Sequence, residues 1–387
     1  MTPPTVCLCM IVKNEAPVLA RCLESVRPLI SCYVICDTGS TDETMEIARE
    51  ALGELSGDVF ARPWVNFAVN RTEALQRAYK RADYVLIIDA DEVLKYEPGF
   101  RFPPLDRHAY YLRIESGDIV YPQTRLLDNS LPWEYKGVLH EYPYSPEAST
   151  EGTLAGFTII RYPDGARARD PLTYRKDALV LEKALIEEPE NSRYTFYLAQ
   201  SYRDAGNYER AIFNYRIRVN LGGWEEEIFY SLYQIAELRY RRGDPFPEVL
   251  ADYLAAYAFR PVRAEPLYRI GLHYSHTREY RLAYFFLHAA LEIPYPVEDR
   301  LFVEAGIYHY FLALETAVAA YYLGEDAEAI DLYDTILCDP ELPPHIRALA
   351  ERNLAFSLDR SRSSAPPPTG WLGRGSAYGL SPESFPP

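Results

Sequence analysis

The sequence predicts an α/β domain with a mostly parallel sheet, followed by an all-α domain of paired helices. In the first part of the chain, short apolar runs rich in β-forming residues alternate with segments whose apolar side chains recur at helical spacing. Beyond about residue 175 the chain becomes rich in Tyr and Ala and nearly free of β-type runs. Alternating strands and helices form parallel sheets, so the first part is expected to be an α/β domain. The second part, which lacks strands, is expected to be a separate helical domain.

The amino-terminal segments follow the order strand, helix, strand, helix. Residues 5–12 are apolar and β-rich, and residues 16–27 carry apolar side chains at helical spacing. Residues 32–36 form a second apolar run, and a second helix is predicted over Thr44–Leu52. A third helix is predicted over residues 72–81.

A further strand ends in closely spaced carboxylates. The apolar run over residues 85–88 predicts a buried central strand, and Asp89 and Asp91 lie on the same side at its carboxyl end. Open α/β sheets bind ligands at that edge. Two like charges this close repel unless a cation or a proton intervenes, and carboxylates suit Mg²⁺ or Mn²⁺ carrying substrate phosphates. The segment therefore indicates a metal–diphosphate site, although Asp-x-Asp alone is more typical of a solvated turn.

Four motifs together resemble the bacterial family 2 glycosyltransferases of the GT-A fold. They are Ile-Val-Lys-Asn-Glu at residues 11–15, Asp-Thr-Gly-Ser-Thr-Asp at 37–42, Phe-Ala-Val-Asn-Arg-Thr-Glu-Ala-Leu at 67–75 and Asp-Ala-Asp-Glu at 89–92. The resemblance covers roughly residues 5–145. It implies an inverting, metal-dependent transfer of a sugar from a nucleotide-diphosphate donor, with a UDP-sugar as the expected donor and Mn²⁺ or Mg²⁺ as the cofactor.

The same resemblance assigns the donor site. In the family the aspartate that corresponds to Asp37 contacts the nucleobase, while a turn-forming role explains Asp37 equally well. Arg71 could place a guanidinium against the base or the diphosphate, or remain a solvated surface residue. The residues expected to bind the nucleotide sugar are Lys13, Asn14, Glu15, Asp37, Asn70, Arg71, Asp89 and Ala90.

Residues 125–141 resemble the segment that follows Asp-x-Asp in this branch of the family, with Leu127 and Leu139 where Phe and Val are usual. The resemblance implies that His140 joins Asp91 as a metal ligand, and Mn²⁺ accepts such a mixed set. An inverting transfer also needs a base that deprotonates the acceptor, for which Glu141 is the candidate.

The other acids that could supply the base are Glu115, Asp118 and Glu92. Trp133 and Tyr135 could form an aromatic platform for the acceptor, and they are equally plausible as core residues.

The second half of the chain resembles an array of tetratricopeptide repeats. The small residues Ala199, Ala236 and Gly271 are 37 and 35 residues apart, close to the standard period of about 34. The next anchor, Ala317, follows after 46 residues, which predicts an insertion around residues 295–303. Such arrays stack into a superhelix whose concave surface binds peptide or protein, although arrays also serve as braces or dimerisation surfaces. The sequence leaves open whether two copies of the chain form a homodimer.

The composition of the chain disfavours some classes of binding partner and indicates where the protein is located. The formal net charge of −16 disfavours nucleic acid and anionic membranes as bulk electrostatic partners. No apolar stretch reaches the ~18 residues of a transmembrane segment, and the first residues do not resemble a secretion signal. The cysteines lack paired metal-ligand spacing, which is typical of reduced thiols. A cytoplasmic protein is expected.

The expected domains are a GT-A domain over residues 1–160, a linker over 161–175, a tetratricopeptide-repeat domain with a capping helix over 176–358, and a flexible tail over 359–387 rich in Pro, Ser and Gly. The predicted function is glycosyl transfer to a glycan or, more in keeping with the repeats, to a protein or peptide. Two alternatives stay open: a sugar-phosphate nucleotidyltransferase, and a catalytically inactive scaffold that binds partners through its repeats.

Overall fold

The computed structural model describes residues 3–117 and 119–363. Its chain divides into two compact units, with the division between Ser201 and Tyr202. This division lies further along the chain than the linker expected at residues 161–175. The aromatic residues Trp371, Tyr378 and Phe385 of the expected tail lie outside the described residues.

The first unit contains the strands and the first helices of the chain. Its strands are β1 Val6–Val12, β2 Cys32–Asp37, β3 Ser56–Ala61, β4 Tyr84–Ile87, β5 Glu92–Tyr96, β6 Ala109–Ser116, β7 Ile119–Asp128, β8 Glu134–Lys136, β9 Tyr142–Tyr144 and β10 Glu151–Arg161. Its helices are α1 Ala16–Val26, a 3₁₀ turn Arg27–Leu29, α2 Thr44–Leu52, α3 Phe67–Ala78, α4 Thr173–Glu187 and the greater part of α5 Ser192–Asp204.

Eight strands form one sheet in the order β3-β2-β1-β4-β7-β6-β10-β5, and β8 pairs with β9 separately. Strands β3, β2, β1 and β4 are parallel to one another. Strand β7 is antiparallel to both β4 and β6, while β10 is parallel to β6 and antiparallel to β5. The predicted α/β class with a mostly parallel sheet, followed by helices, is confirmed.

Strand β1 is buried on both faces, which explains its unbroken apolar sequence. Its residues alternate between two cores: Val6 and Leu8 pack in the cluster that includes helix α1, whereas Cys7 and Cys9 pack with Ala74 of helix α3. Side chains of successive strand residues point to opposite faces, so one strand serves both layers of helices. The five cysteines of the first unit are buried free thiols, as expected.

Helix α3 begins five residues earlier than predicted, at Phe67, and it ends at Ala78. The reason is a side-chain cap at Asn66, whose Oδ1 accepts a hydrogen bond from the N–H of Val69 at 2.8 Å. Such a cap satisfies one of the backbone donors that lack a partner in the first turn of a helix. Apolar periodicity alone does not reveal this cap.

The second unit consists of paired helices. They are α6 Tyr208–Leu221, α7 Glu225–Arg242, α8 Phe246–Phe259, α9 Glu265–His276, α10 Tyr280–Leu291, a π-helical turn Ile307–Phe311, α11 Leu312–Leu323, α12 Asp326–Leu337 and α13 Pro344–Ser363. Gly271 of α9 lies so close to α10 that a Cβ there would be 2.5 Å from Cγ of Leu287. Small residues thus allow paired helices to approach, as the repeat pattern predicts.

The predicted insertion lies between α10 and the π-helical turn, and it packs on the repeats through ion pairs. Asp299 accepts from Nε of Arg260 at 2.8 Å, and Glu304 accepts from a terminal nitrogen of Arg269 at 2.6 Å. Among the helices of residues 3–117 and 119–363, none is both long and apolar enough to cross a membrane.

Candidate active site

The loops that follow β1, β2 and β4 meet at the carboxyl edge of the parallel strands. Val12 at the end of β1 pairs in register with Asp37 at the end of β2, and Thr38 donates its N–H to the Val12 carbonyl at 2.9 Å. Strand β4, on the other side of β1, ends two residues before Asp89. Three of the four predicted motifs therefore converge on one edge of the sheet.

The first two loops are fastened to each other by hydrogen bonds. Asn14, which has a left-handed φ of 55°, accepts from the N–H of Thr41 at 2.8 Å and donates its own N–H to Oγ of Ser40 at 2.9 Å. Asp37 is buried, and its Oδ2 accepts the N–H groups of Gly39 and Ser40 at 3.1 Å. The side chains of Asn14 and Asp37 thus shape the loops, as the turn-forming alternative for Asp37 predicts.

Two other predicted donor residues differ in their exposure. Lys13 is exposed at the edge of the sheet, and Ala90 is buried. Lys13 is therefore accessible to a ligand through its side chain, whereas Ala90 packs in the hydrophobic core that includes helix α1.

Asn70 has no solvent-exposed surface. Its Oδ1 accepts from the N–H of Val65 at 3.0 Å, and its Nδ2 donates to the carbonyl of Pro63 at 3.1 Å. Both ends of the amide are therefore used to hold the segment between β3 and α3. These contacts give Asn70 a role in positioning that segment, and its expected contact with the nucleotide stays a prediction.

Arg71 joins two of the predicted acidic residues. One terminal nitrogen donates to Oδ1 of Asp89 at 2.7 Å, and Nε donates to Oε1 of Glu141 at 2.7 Å. Burial opposes ionisation of Asp89, but the guanidinium groups of Arg71, Arg125 and Arg161 outweigh it and hold the pKa of Asp89 well below its usual range. Asp89 is thus held in its ionised form, and Arg71, whose side chain is 11% exposed, bridges two carboxylates and is not a solvated surface residue.

Glu92 anchors this network from inside the protein. It is fully buried, accepts the N–H of Asp89 at 2.8 Å, and pairs with Arg125 at 2.8 Å and Arg161 at 2.6 Å. A carboxylate enclosed in this way cannot reach an acceptor, so its contacts favour a structural role over that of the base.

The remaining candidates for the base differ in their surroundings. Glu141 is paired with Arg71, and its side chain is 11% exposed. Glu115 lies on β6, where it accepts from Nε of Arg113 at 2.9 Å. Asp118 lies outside the described residues.

Asp91 and Glu15 are two acids at the carboxyl edge of the sheet with raised pKa values. Burial and the charges of Asp89 and Glu92 raise the pKa of Asp91 to about 6. Burial and the charge of Asp91 raise the pKa of Glu15 to about 7, although the N–H of Ala166 opposes this by donating to the carboxylate at 3.0 Å. Two carboxylates that repel each other in this way favour a shared proton or a cation between them.

Residues 161–169, which were expected to be part of a linker, contact the acidic edge of the sheet. Tyr162 donates its N–H to the Asp91 carbonyl at 3.0 Å, and a Cβ at Gly165 would lie 2.9 Å from Oδ2 of Asp91. A terminal nitrogen of Arg169 donates to the carbonyl of Asn14 at 3.0 Å. The Pro-Asp-Gly turn in this segment signalled a bend, but nothing local indicated that the bend packs on the acidic edge.

His140 is exposed and has a left-handed φ of 51°. Its ring stacks on Tyr197 with centroids 3.7 Å apart, and its carbonyl accepts from Arg193 at 2.6 Å. Partial desolvation of the ring, together with the positive charges of Arg167 and Arg193, lowers the pKa of His140 below its usual value. The ring is therefore neutral at physiological pH, the form that binds metals.

The predicted metal ligands are Asp91 and His140. Within the described ranges, no group of three or more His, Cys, Asp or Glu side chains is arranged to hold a metal ion. The charges that act on His140 are those of guanidinium groups. The joint role of Asp91 and His140 stays a prediction.

The two aromatic residues expected near the acceptor occupy different surroundings. Trp133 is buried in the core with Cys9 and Ala74, and its Nε1 donates to the carbonyl of Asp128 at 2.8 Å. Tyr135 is half-buried beside Arg71, whose guanidinium lies 5.7 Å from the ring centroid. Trp133 is thus a core residue, and Tyr135 is the aromatic ring that borders the charged network.

Residues 7–98 match the model of glycosyl transferase family 2. A TPR repeat-containing protein of Synechococcus elongatus is 29% identical over 257 residues, which cover 62% of this chain and 62% of that protein. An uncharacterized glycosyltransferase of Rickettsia felis is 34% identical over 88 residues, 23% of this chain and 29% of the relative. The prophage-derived glycosyltransferase SunS of Bacillus subtilis is 22% identical over 223 residues, 54% of this chain and 52% of the relative.

The chain spans less than two thirds of the length of these curated relatives. Among solved structures, TarS of S. aureus in complex with UDP-GlcNAc aligns with a TM-score of 0.37 at 13% identity, over 62% of this chain and 92% of that one. The relatives confirm the resemblance of the amino-terminal segment to family 2 glycosyltransferases and that of the helical part to tetratricopeptide repeats.

Proposed function

We propose that this chain, whose residues 7–98 are a family 2 glycosyltransferase segment, transfers a sugar from a nucleotide-diphosphate donor to an acceptor. The observation that supports this most is the meeting of three loops at the carboxyl edge of the parallel strands, with Asp89 and Asp91 following β4. Open α/β sheets bind nucleotides at that edge. A fixed carboxylate at Asp89, held by Arg71, is suited to accept hydrogen bonds from a ribose hydroxyl.

A divalent cation fits the acids of this edge. Mg²⁺ and Mn²⁺ are commonly held by one or two carboxylates together with substrate phosphates, and Asp91 with its neighbour Glu15 supplies such carboxylates. We expect Asp91 to hold the cation, with neutral His140 as the further ligand that the family resemblance implies. When bound, the cation neutralises charge that develops on the departing diphosphate.

The proposed reaction is an inverting displacement at the anomeric carbon of the donor sugar. A nucleophilic atom of the acceptor forms the new bond to that carbon as the carbon–oxygen bond to the diphosphate breaks. The diphosphate leaves with the bonding electron pair, and the acceptor proton passes to a carboxylate, for which Glu141 is the proposed base. Arg71 orients that carboxylate, because its Nε donates to Glu141 at 2.7 Å.

The acceptor is proposed to be a protein or peptide that the repeats of the second unit bind. Repeat arrays present extended concave surfaces, and an array joined to a transferase domain can hold a long acceptor near the reactive centre. A glycan acceptor is the alternative. A nucleotidyltransferase is less well supported, because the loop after β1 lacks the glycines typical of its phosphate-binding segment.

The proposal is tested by calorimetric titration of the full chain with UDP and GDP, each with and without Mn²⁺. The test variant is Asp91→Asn, and the matched control is Asp83→Asn, at the opposite end of β4, where Asp83 accepts from the N–H of Thr5 at 2.8 Å. We expect metal-dependent binding of one diphosphate to the wild type and to the control, and its loss in Asp91→Asn.

If neither nucleotide binds the wild type, the donor-site proposal is refuted and the scaffold alternative gains support. If Asp91→Asn binds as the wild type does, with the same dependence on Mn²⁺, the assignment of Asp91 is refuted.

A further inference from the structure

The segment between β3 and α3 exposes an unusual amount of apolar surface. Trp64 is 43% exposed and Val65 is 60% exposed. Val69, one turn into α3, is 39% exposed. Large apolar side chains that stay in water on one surface patch are typical of ligand-binding sites.

This segment is held in a defined conformation from beneath. Asn70 fixes the residues on either side of Trp64, because its amide binds the carbonyl of Pro63 and the N–H of Val65. The indole itself packs edge-on against Phe67, with ring centroids 4.7 Å apart. Because both ends of this buried amide are hydrogen-bonded, it holds the two neighbours of Trp64 without leaving a buried polar group unsatisfied. The exposed indole is therefore a preorganised surface.

The position of Trp64 along the sheet edge indicates which part of a ligand it meets. Strand β3 pairs with β2 so that Ala61 is opposite Asp37, and the next residue, Arg62, donates its N–H to the Asp37 carbonyl at 2.8 Å. Trp64 thus follows β3 beside the turn formed by Asp37. Asp91 follows β4, which is three strands away from β3. At about 4.8 Å per strand the separation is roughly 14 Å.

We propose that Trp64 is the platform on which the nucleobase of the donor stacks. This inference rests on the proposed function. With the diphosphate at the Asp91 end of the edge, an extended nucleoside diphosphate places its base toward β3. A planar base suits the face of an indole, and stacking of this kind contributes about 1–3 kcal/mol per base.

The same geometry gives Asn70 its place in the site. Asn70 is a positioning residue that holds Trp64 at the edge of the sheet. Stacking on an indole is tolerant of sequence, because every base has a π-face, so Trp64 supplies affinity for the base and does not by itself choose among bases.

The first experiment measures binding of UDP and GDP in Mn²⁺ by tryptophan fluorescence and calorimetry, on the full chain. The chain has four tryptophans, which makes single substitutions informative. Trp64→Phe removes the fluorophore and keeps a ring, and the matched control is Trp224→Phe, whose indole is 47% exposed in the second unit. We expect the nucleotide to quench the wild type and Trp224→Phe, and most of this quenching to disappear in Trp64→Phe.

A second variant, Trp64→Ala, separates base stacking from a general effect on the site. For the nucleotide that binds the wild type we expect its Kd to rise about 5- to 150-fold, which corresponds to ~1–3 kcal/mol. Inorganic pyrophosphate with Mn²⁺ has no base, so its Kd should stay within twofold of the wild-type value.

Three results would overturn the inference. If Trp64→Ala binds the nucleotide as tightly as the wild type, the platform is refuted while the proposed function stands. If nucleotide and pyrophosphate weaken equally, the effect of Trp64 is structural. If neither nucleotide binds the wild type, both the platform and the proposed function fail.

Discussion

Replacing Arg125 by methionine tests whether the buried ion network supports the acidic edge of the sheet. Arg125 is 4% exposed and lies 2.8 Å from Glu92, which has no exposed surface. The same guanidinium lies 3.5 Å from Asp89. Methionine fills a similar volume without the charge, so the substitution removes a partner from Glu92 and leaves the packing nearly unchanged.

The expected cost follows from what remains around Glu92. Removing one partner of a buried ion pair typically costs 3–5 kcal/mol, because it leaves an uncompensated buried charge. Arg161 still pairs with Glu92 at 2.6 Å, and the side chain of Arg161 is 33% exposed. We therefore expect Arg125→Met to lower the free energy of unfolding by about 3 kcal/mol, the lower end of that range.

The measurement is urea-induced unfolding at pH 7, followed by circular dichroism. The matched control is Arg113→Met, on the neighbouring strand β6, where Arg113 pairs with Glu115 at 2.9 Å and the two side chains are 56% and 35% exposed. An exposed pair of this kind contributes about 0–1 kcal/mol. Equal losses in the two variants, or a loss of less than about 1 kcal/mol in Arg125→Met, would refute the reasoning.

Two further predictions concern the second unit. Burial raises the pKa of Glu315 from 4.5 to about 7, so the folded chain binds this proton more tightly than the unfolded chain does. The stability that Glu315 contributes is complete below about pH 4.5 and is lost as the pH rises to about 7, by roughly 3 kcal/mol. In urea unfolding, the free energy of unfolding of Glu315→Gln should therefore rise by about that much relative to the wild type between pH 5 and pH 8. A difference between the two proteins that does not change with pH would contradict this. Gly271→Ala should lower stability by about 1–3 kcal/mol, since its Cβ would lie 2.5 Å from Cγ of Leu287. The double variant Gly271→Ala/Leu287→Ala should lose less free energy of unfolding than the two single variants together. Strict additivity of the two losses would exclude the clash.

The local elements of the first unit were predictable because their signals are local. Helix α2 has the predicted bounds, Thr44–Leu52, and β1 differs from its prediction by one residue. Helix α3 was placed five residues late, because its start depends on the cap at Asn66, which an apolar periodicity does not reveal. The same periodicity could not assign Asn70, whose amide binds a segment that precedes it in the chain.

The acidic edge was predictable for a topological reason. Parallel strands joined by helices present their carboxyl ends on one side, so the motifs after β1, β2 and β4 had to meet there. The sequence also indicated which side chains those loops carry. The sequence did not distinguish the two possible roles of Asp37, because a turn-forming aspartate and a ligand-binding aspartate have the same local sequence.

The sequence by itself determined the order of elements, the two architectures and the acidic loops at the sheet edge, since hydrophobic period and motif spacing act over short stretches of chain. Only the tertiary structure decided the partners of those acids. Arg161 stands opposite Glu92 because β10 pairs antiparallel with β5, and Arg125 reaches Glu92 because β7 lies beside β4. Contacts between residues 33 to 69 positions apart depend on strand order and register. Long-range packing sets both, and no local period encodes them.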